Sequence, residues 1–190
     1  MLRKPSPRTS RKLNSLRAAP LLKRGGLIGH YTSTLPGMAC LPETGRAIWK
    51  MQHFKRRKGP FLLLADSKQR AGKYIRWYPA PLRKLIRTQW PGHTTLVVPG
   101  RPGLPATCYH KGMLAIRVDA DAACRRLARA CGGLLLSSSL NRRGGIVRRP
   151  CYGVQMRWHG FLSGRAGMGT SSGVASVIYR VDHRGLQKVR

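Results

Sequence analysis

Carboxylates are nearly missing from this chain. Its 190 residues hold five: Glu43, Asp66, Asp119, Asp121 and Asp182. No two of them make the acidic pair that glycosidase chemistry needs, because Asp119 and Asp121 stand where a helix begins and capping accounts for them. Cysteine is scarce and scattered. Cys40, Cys108, Cys124, Cys131 and Cys151 show no C-x-x-C spacing. An odd, dispersed set predicts reduced and mostly buried thiols, not a disulfide framework or a zinc site. The six histidines form no H-E-x-x-H pattern. Neither G-x-x-x-x-G-K-[ST] nor G-x-G-x-x-G occurs, so a bound nucleotide would not use the two common phosphate motifs. No apolar run approaches membrane-spanning length, and no repeat is evident. A cytoplasmic protein without membrane contact is the expectation.

Positive charge is abundant. Thirty-seven Lys and Arg residues give a formal net charge of +32. An excess spread over the whole length predicts attraction to nucleic acid or another polyanion, weakening steeply with salt as counterions are released. A generally basic, solvated surface is the plainer explanation of the same excess. Apolar content is ordinary, and the length suffices for one domain with a core.

Residues 1–24 read as a basic, flexible arm: Arg3, Lys4, Arg8, Arg11, Lys12, Arg17, Lys23 and Arg24 among Ser and Pro, with no acid. The same composition fits a transit peptide, but the apolar face is poor and favours an arm. Residues 25–182 read as the folded domain and 183–190 as a basic tail. A short strand spans 27–31. A helix follows over 43–54, with Ala47, Ile48, Met51 and Phe54 on one face. Residues 60–65 form a buried strand. Pro81 suits a helix start, with Leu82, Leu85 and Ile86 on one face, and Trp90-Pro91-Gly92-His93 stops it. Strands at 94–98 and 113–118 precede a helix over 120–131, where Cys124, Leu127, Ala128 and Cys131 share a face. Asp119 or Asp121 caps it. Leu134-Leu135-Leu136 is a short buried strand. The unit 113–136 therefore predicts a right-handed crossover between parallel strands. A last strand covers 174–181.

The strand of three leucines stops at Ser137-Ser138-Ser139-Leu140-Asn141, followed by Arg142-Arg143-Gly144-Gly145. Hydroxyls at a strand end, paired cations and flexible backbone suit a phosphate-bearing ligand. A polar surface loop has the same composition.

Placed in order, these pieces resemble the YrdC-like threonylcarbamoyl-AMP synthase family. Leu114-Ala115-Ile116-Arg117, a helix, a strand and then Ser137 to Gly144 are similar to A-V-R … S-T-S-A-N-x-S-G at the family's spacing. Trp90 to Thr95 resembles W-P-G-P-x-T, and Lys55-Arg56-Arg57 resembles K-x-R, with Lys58-Gly59 like K-G before an apolar strand. Tyr31 to Cys40 is similar to Y-P-T-E-T-V-Y-G-L-G-C, and Ala175 to Ile178 to P-S-T-I.

The resemblance implies a single α/β domain, an open twisted mixed sheet flanked by helices, with the basic arm ahead of it. It implies that L-threonine, bicarbonate and ATP react to threonylcarbamoyl-adenylate and pyrophosphate, for threonylcarbamoylation of adenosine 37 in tRNA. ATP is then a nucleotidyl-transfer substrate. Magnesium accompanies it through phosphates and water, since no carboxylate ligand is in sight. Lys55, Arg57, Thr95, Ser139, Asn141 and Ser176 would hold ATP and its phosphates. Thr32, Lys58, Arg117 and Ser137 would hold threonine, Arg117 as a carboxylate fork. No residue is assigned a catalytic role or a metal. Double-stranded RNA or tRNA is an expected partner. The chain departs from the pattern at Ser33, where the family has an acid, at Tyr31, Pro36 and Leu140, and in a shorter segment after Arg57. A second reading follows from these departures: a non-catalytic YrdC-like RNA-binding protein. A ribosome-associated basic protein is a third.

Overall fold

Period-two alternation in three apolar runs builds this fold. In Leu62–Ala65, Leu134–Ser139 and Gly37–Cys40, successive side chains enter opposite layers. The computed structural model describes residues 12–13, 15–141, 145, 164–166, 171–183 and 185–190. In chain order the elements are β1 (Lys12–Leu13), α1 (Ser15–Lys23), β2 (Ile28–His30), β3 (Gly37–Cys40), α2 (Gly45–Lys55), β4 (Leu62–Ala65), α3 (Lys68–Gly72), α4 (Ala80–Gln89) and β5 (Thr94–Pro99). Then come β6 (Tyr109–His110), β7 (Met113–Val118), α5 (Ala122–Ala130), β8 (Leu134–Ser139), β9 (Gly164–Ala166), β10 (Val177–Asp182) and β11 (Gly185–Lys188).

The strands form one mixed sheet in the order β1-β9-β2-β3-β8-β4-β7-β5-β10-β11, with β6 on β7. Leu63, Ala65, Leu134, Leu136, Met38, Cys40, Ile116 and Leu96 face one layer, beneath Ala47, Ile48 and Met51 of α2, Ala71 of α3 and Leu82 of α4. Leu64, Leu135, Ala39 and Ile28 face the other, beneath Ala18, Ala19 and Leu22 of α1 and Cys124, Leu127 and Ala128 of α5. This is the expected α/β architecture.

Four expectations need correction. The strand at 134 does not stop at the serines: β8 runs to Ser139, because Gly37–Cys40 pairs with Leu136–Ser139 and buries the hydroxyls. The turn-like Pro36-Gly37 concealed β3. The 113–136 unit is not a parallel crossover either. β4 lies between β7 and β8, parallel to the first and antiparallel to the second, so β8 runs opposite to β7. Residues 15–23 of the supposed arm are α1, anchored by Ala18, Ala19 and Leu22. The supposed tail contains β11, hairpinned onto β10. Residues 1–11, Arg142, Arg143, Gly144 and Cys151 lie outside the described residues. The other four cysteines are free, and Cys40, Cys108 and Cys124 are buried. Burial pushes the Cys40 thiol up to about 12, so it stays protonated.

Candidate functional site

The buried C-terminal end of α2 reaches the end of β8. Lys55 is the last residue of α2, and its ammonium donates to the Ser139 carbonyl (3.0 Å), to Asn141 Oδ1 (3.0 Å) and to the Asn141 carbonyl. Ser139 Oγ donates to Asn141 Oδ1 at 2.6 Å, and Asn141 Nδ2 to the Gly145 carbonyl at 2.9 Å. A lysine 84 positions away from Ser139 thus ties the Ser-rich stretch in place. Burial, with the Arg57 cation nearby, lowers the Lys55 pKa to about 8. The left-handed backbone of Arg56 ends the helix and turns the chain away (φ 50°).

Ser137, two residues upstream on the same face, is buried against His30 of β2, with Nε2 and Oγ 2.9 Å apart. Burial lowers the His30 pKa to about 4, with Arg117 adding to the effect and Asp119 opposing it. The imidazole is therefore neutral at pH 7. Gly37 lets the strands close up here. A Cβ on it would lie 2.9 Å from the Ser138 carbonyl, 3.2 Å from His30 Nε2 and 3.4 Å from Ser137 Oγ.

Thr32, Ser33 and Thr34 form the β2–β3 turn, held by buried ions. Arg117, 2 % exposed, pairs with Asp119 Oδ2 at 2.7 Å and donates to Thr34 Oγ1 at 3.0 Å. Asp119 Oδ1 accepts from the backbone of Ser33 (2.8 Å) and of Asp121 (2.9 Å). The helix cap is Asp121, which accepts from the Cys124 N–H. The Arg117 fork is thus turned onto the protein's own carboxylate. Thr32 Oγ1 lies 3.0 Å from Thr34 Oγ1 and donates to the Leu35 carbonyl. Ser171 Oγ donates to the Thr32 carbonyl at 2.7 Å, drawing the distant 171–174 segment onto this turn.

Thr95 and Ser176 form a separate buried hydroxyl pair at 3.0 Å. Arg190 donates to the Ser176 carbonyl at 3.1 Å. Arg57 donates to the Pro60 carbonyl at 2.8 Å and lies over the Phe61 ring, outside the Lys55 cluster. Lys58 is exposed, and its carbonyl accepts from Gln52. The expected residues therefore fall into groups: Lys55, Ser139 and Asn141; His30 with Ser137; Thr32 with Arg117; Thr95 with Ser176; and Arg57 with Lys58 at the rim.

The sheet register links them. Ser137 stands opposite Leu62, Leu62 opposite Ala115, Ala115 opposite Val97 and Val97 opposite Arg180. Cross-strand partners share a face. This row crosses the open part of the face that α1 and α5 cover elsewhere. Val97, Ala115 and Arg180 of this row line a cavity of about 760 Å³, together with Pro60, Trp77 and Met113. A mainly apolar lining that also carries Lys111, Arg180 and Asp182 suits a partly aromatic, charged ligand. His30, Gly37, Asp119 and the cavity floor were missed in the sequence. The Arg-x-Asp spacing of 117 and 119 was a readable signal for one of them, since residues i and i+2 of a strand share a face. Among the described residues, no three His, Cys, Asp or Glu side chains gather as a metal site, and no helix is long and apolar enough to cross a membrane.

A family model described as "Telomere recombination" and named for Sua5, YciO and YrdC matches residues 20–187. Threonylcarbamoyl-AMP synthase of Methylococcus capsulatus is 33% identical over 150 residues, 76% of this chain and 77% of that protein. The Neisseria gonorrhoeae protein of the same name is 31% identical over 135 residues, 68% of this chain and 69% of its own. E. coli YciO shares the fold with a TM-score of 0.83 at 17% identity, over 93% of this chain and 87% of that one. P. abyssi Sua5 complexed with L-threonine gives 0.83 at 20% identity over 93% of this chain, which spans about half (53%) of that longer protein.

Proposed function

The chain belongs to the Sua5/YciO/YrdC family, and on that premise we propose that it forms threonylcarbamoyl-adenylate from L-threonine, bicarbonate and ATP, for the modification of tRNA adenosine 37. In this reaction the threonine amine takes the bicarbonate carbon and water leaves. An oxygen of the resulting carbamate attacks the α-phosphorus. The bond from the α-phosphorus to its bridging oxygen breaks, and pyrophosphate departs. Nothing covalent passes through the protein. Its work is positioning and neutralising phosphate charge. Magnesium accompanying ATP would neutralise phosphate charge, with no carboxylate of the described residues gathered to hold it.

The observation that carries this reading is the cluster of Lys55, Ser139 and Asn141. It joins the K-x-R and S-x-S-x-N segments into one polar cluster at the end of β8. Lys55 supplies a fixed positive charge under the phosphates while its N–H groups hold the loop. Arg57 adds a second cation at the rim, and Thr95 and Ser176 add hydroxyls. We assign the threonine end to Ser137, Thr32 and Arg117, with Lys58 at the rim beside Arg57; Arg117 acts through the Thr34 and Asp119 network. RNA is a partner of the same basic molecule, in a cytoplasmic setting that suits the free thiols.

Ser33 in place of an acid, and an Arg117 fork already committed to Asp119, favour the second reading, RNA binding without catalysis. One assay separates the two. Purified protein with ATP, bicarbonate and labelled threonine is expected to yield threonylcarbamoyl-adenylate and pyrophosphate, and Lys55→Ala or Arg57→Ala to abolish both. No product from the wild type, with RNA still retained, refutes the enzyme. Full activity in either variant refutes its phosphate role.

A further inference from the structure

Trp49 sits on the outer face of α2, 59% exposed, while most large apolar side chains of the described residues are covered. It is not alone there. The core face of α2 carries Ala47, Ile48, Met51 and Lys55. The opposite stripe is Arg46, Trp49 and His53, at spacings of three and four, with Arg56 following as the left-handed C-cap residue; all four are exposed. Residues at those spacings lie along one side of a helix. The indole and the His53 ring are stacked, with centroids 5.4 Å apart and planes 21° from parallel. Stacking on a neighbouring ring fixes the plane of the indole and leaves its other face to solvent. Between Glu43 and Asp66 the chain has no acid, whereas Lys50 and Lys58 add to the cations of this segment. A preset aromatic plane flanked by cations fits a ligand with a flat ring and a phosphate. A folded protein partner would have to set an acidic patch around its stacking ring, whereas a nucleic acid carries ring and phosphate together.

We propose that the Arg46–Trp49–His53–Arg56 stripe is a binding surface for unpaired RNA, with a base stacked on Trp49 and the neighbouring phosphates on Arg46 and Arg56. The proposal rests on the RNA reading above and is independent of the adenylate chemistry, since the stripe is on the side of α2 away from the sheet. Stacking needs a base out of its helix, so the surface selects single strands and loops over duplex. The contact has two parts that respond differently. The cations release counterions, and the indole does not.

The test compares a fluorescent single-stranded RNA, the same sequence as a duplex, and heparin as a polyanion without bases, each across a salt series. Trp49→Ala is expected to weaken the single strand at least about 5-fold, to leave duplex and heparin within about 2-fold, and to keep the salt slope unchanged. Trp49→Phe retains most of the affinity. Arg46→Gln and Arg56→Gln each flatten the single-strand salt slope by roughly 0.7. Thermal melts and adenylate formation serve as controls for folding, and neither is expected to change in Trp49→Ala. Equal loss for single strand, duplex and heparin would overturn the stacking role, as would no loss at all. Wild type that binds no RNA at low salt refutes the RNA reading itself.

Discussion

Asp119 meets three partners at once: the Arg117 guanidinium, the Ser33 N–H and the Asp121 N–H. Removing its carboxylate would leave Arg117 buried and uncompensated, which costs about 3–5 kcal/mol. Asp119→Ala is therefore expected to lose that much in urea unfolding, and Arg117→Met/Asp119→Ala to regain part of it, because neither charge is then stranded. A loss under about 1 kcal/mol would show that the pair is not what holds the Thr32–Thr34 turn. His30 gives a pH dependence whose sign can be worked out. Its folded pKa of about 4 lies below the unfolded 6.5. Between those values the unfolded chain takes up a proton that the folded one refuses. Stability is fully present above pH 6.5 and falls as pH drops toward 4, by about 3 kcal/mol in total. His30→Gln should remove that part of the acid slope. Parallel stability curves for the two proteins would contradict the burial of a neutral imidazole.

α1 was the element least legible in the sequence. Its cations and Pro20 resemble an unfolded arm, and its apolar residues gain meaning only against Cys124, Leu127 and Ala128 of α5, a hundred positions away. Leu22 is fully buried there. Leu22→Ala is expected to cost about 2–5 kcal/mol in thermal or chemical unfolding. A cost under about 0.5 kcal/mol would detach α1 from the core. β3 was hidden for a related reason. Gly37 and Ala39 carry little apolar signal, and their pairing with Ser139 and Ser137 is a long-range event. By contrast, α2, α4, β5 and β7 were legible within a residue or two, because each carries a local apolar period that its own burial then satisfies.

At the scale of the whole molecule, a net charge of +32 acts in two opposite directions. Cations repel one another within the fold and attract phosphates outside it. Added salt screens both. Raising it from 50 to 500 mM should raise the melting temperature while RNA affinity falls linearly with the logarithm of salt concentration. Affinity insensitive to salt would count against a charge-driven RNA contact, and a melting temperature that falls would show that self-repulsion is not limiting stability.

By itself the sequence determined the family motifs and their order, the α/β class, the excess of positive charge and the residue types available to a phosphate. These depend on local spacing and composition. Only the tertiary structure decided what those residues do to one another. It placed Lys55 on Ser139 and Asn141, turned Arg117 onto Asp119, set His30 behind Ser137, and drew β8 through its serines between β3 and β4. Each is a contact between positions far apart in the chain or a choice among partners. Such choices are settled by which groups must find a hydrogen bond or a counter-charge once water has been excluded.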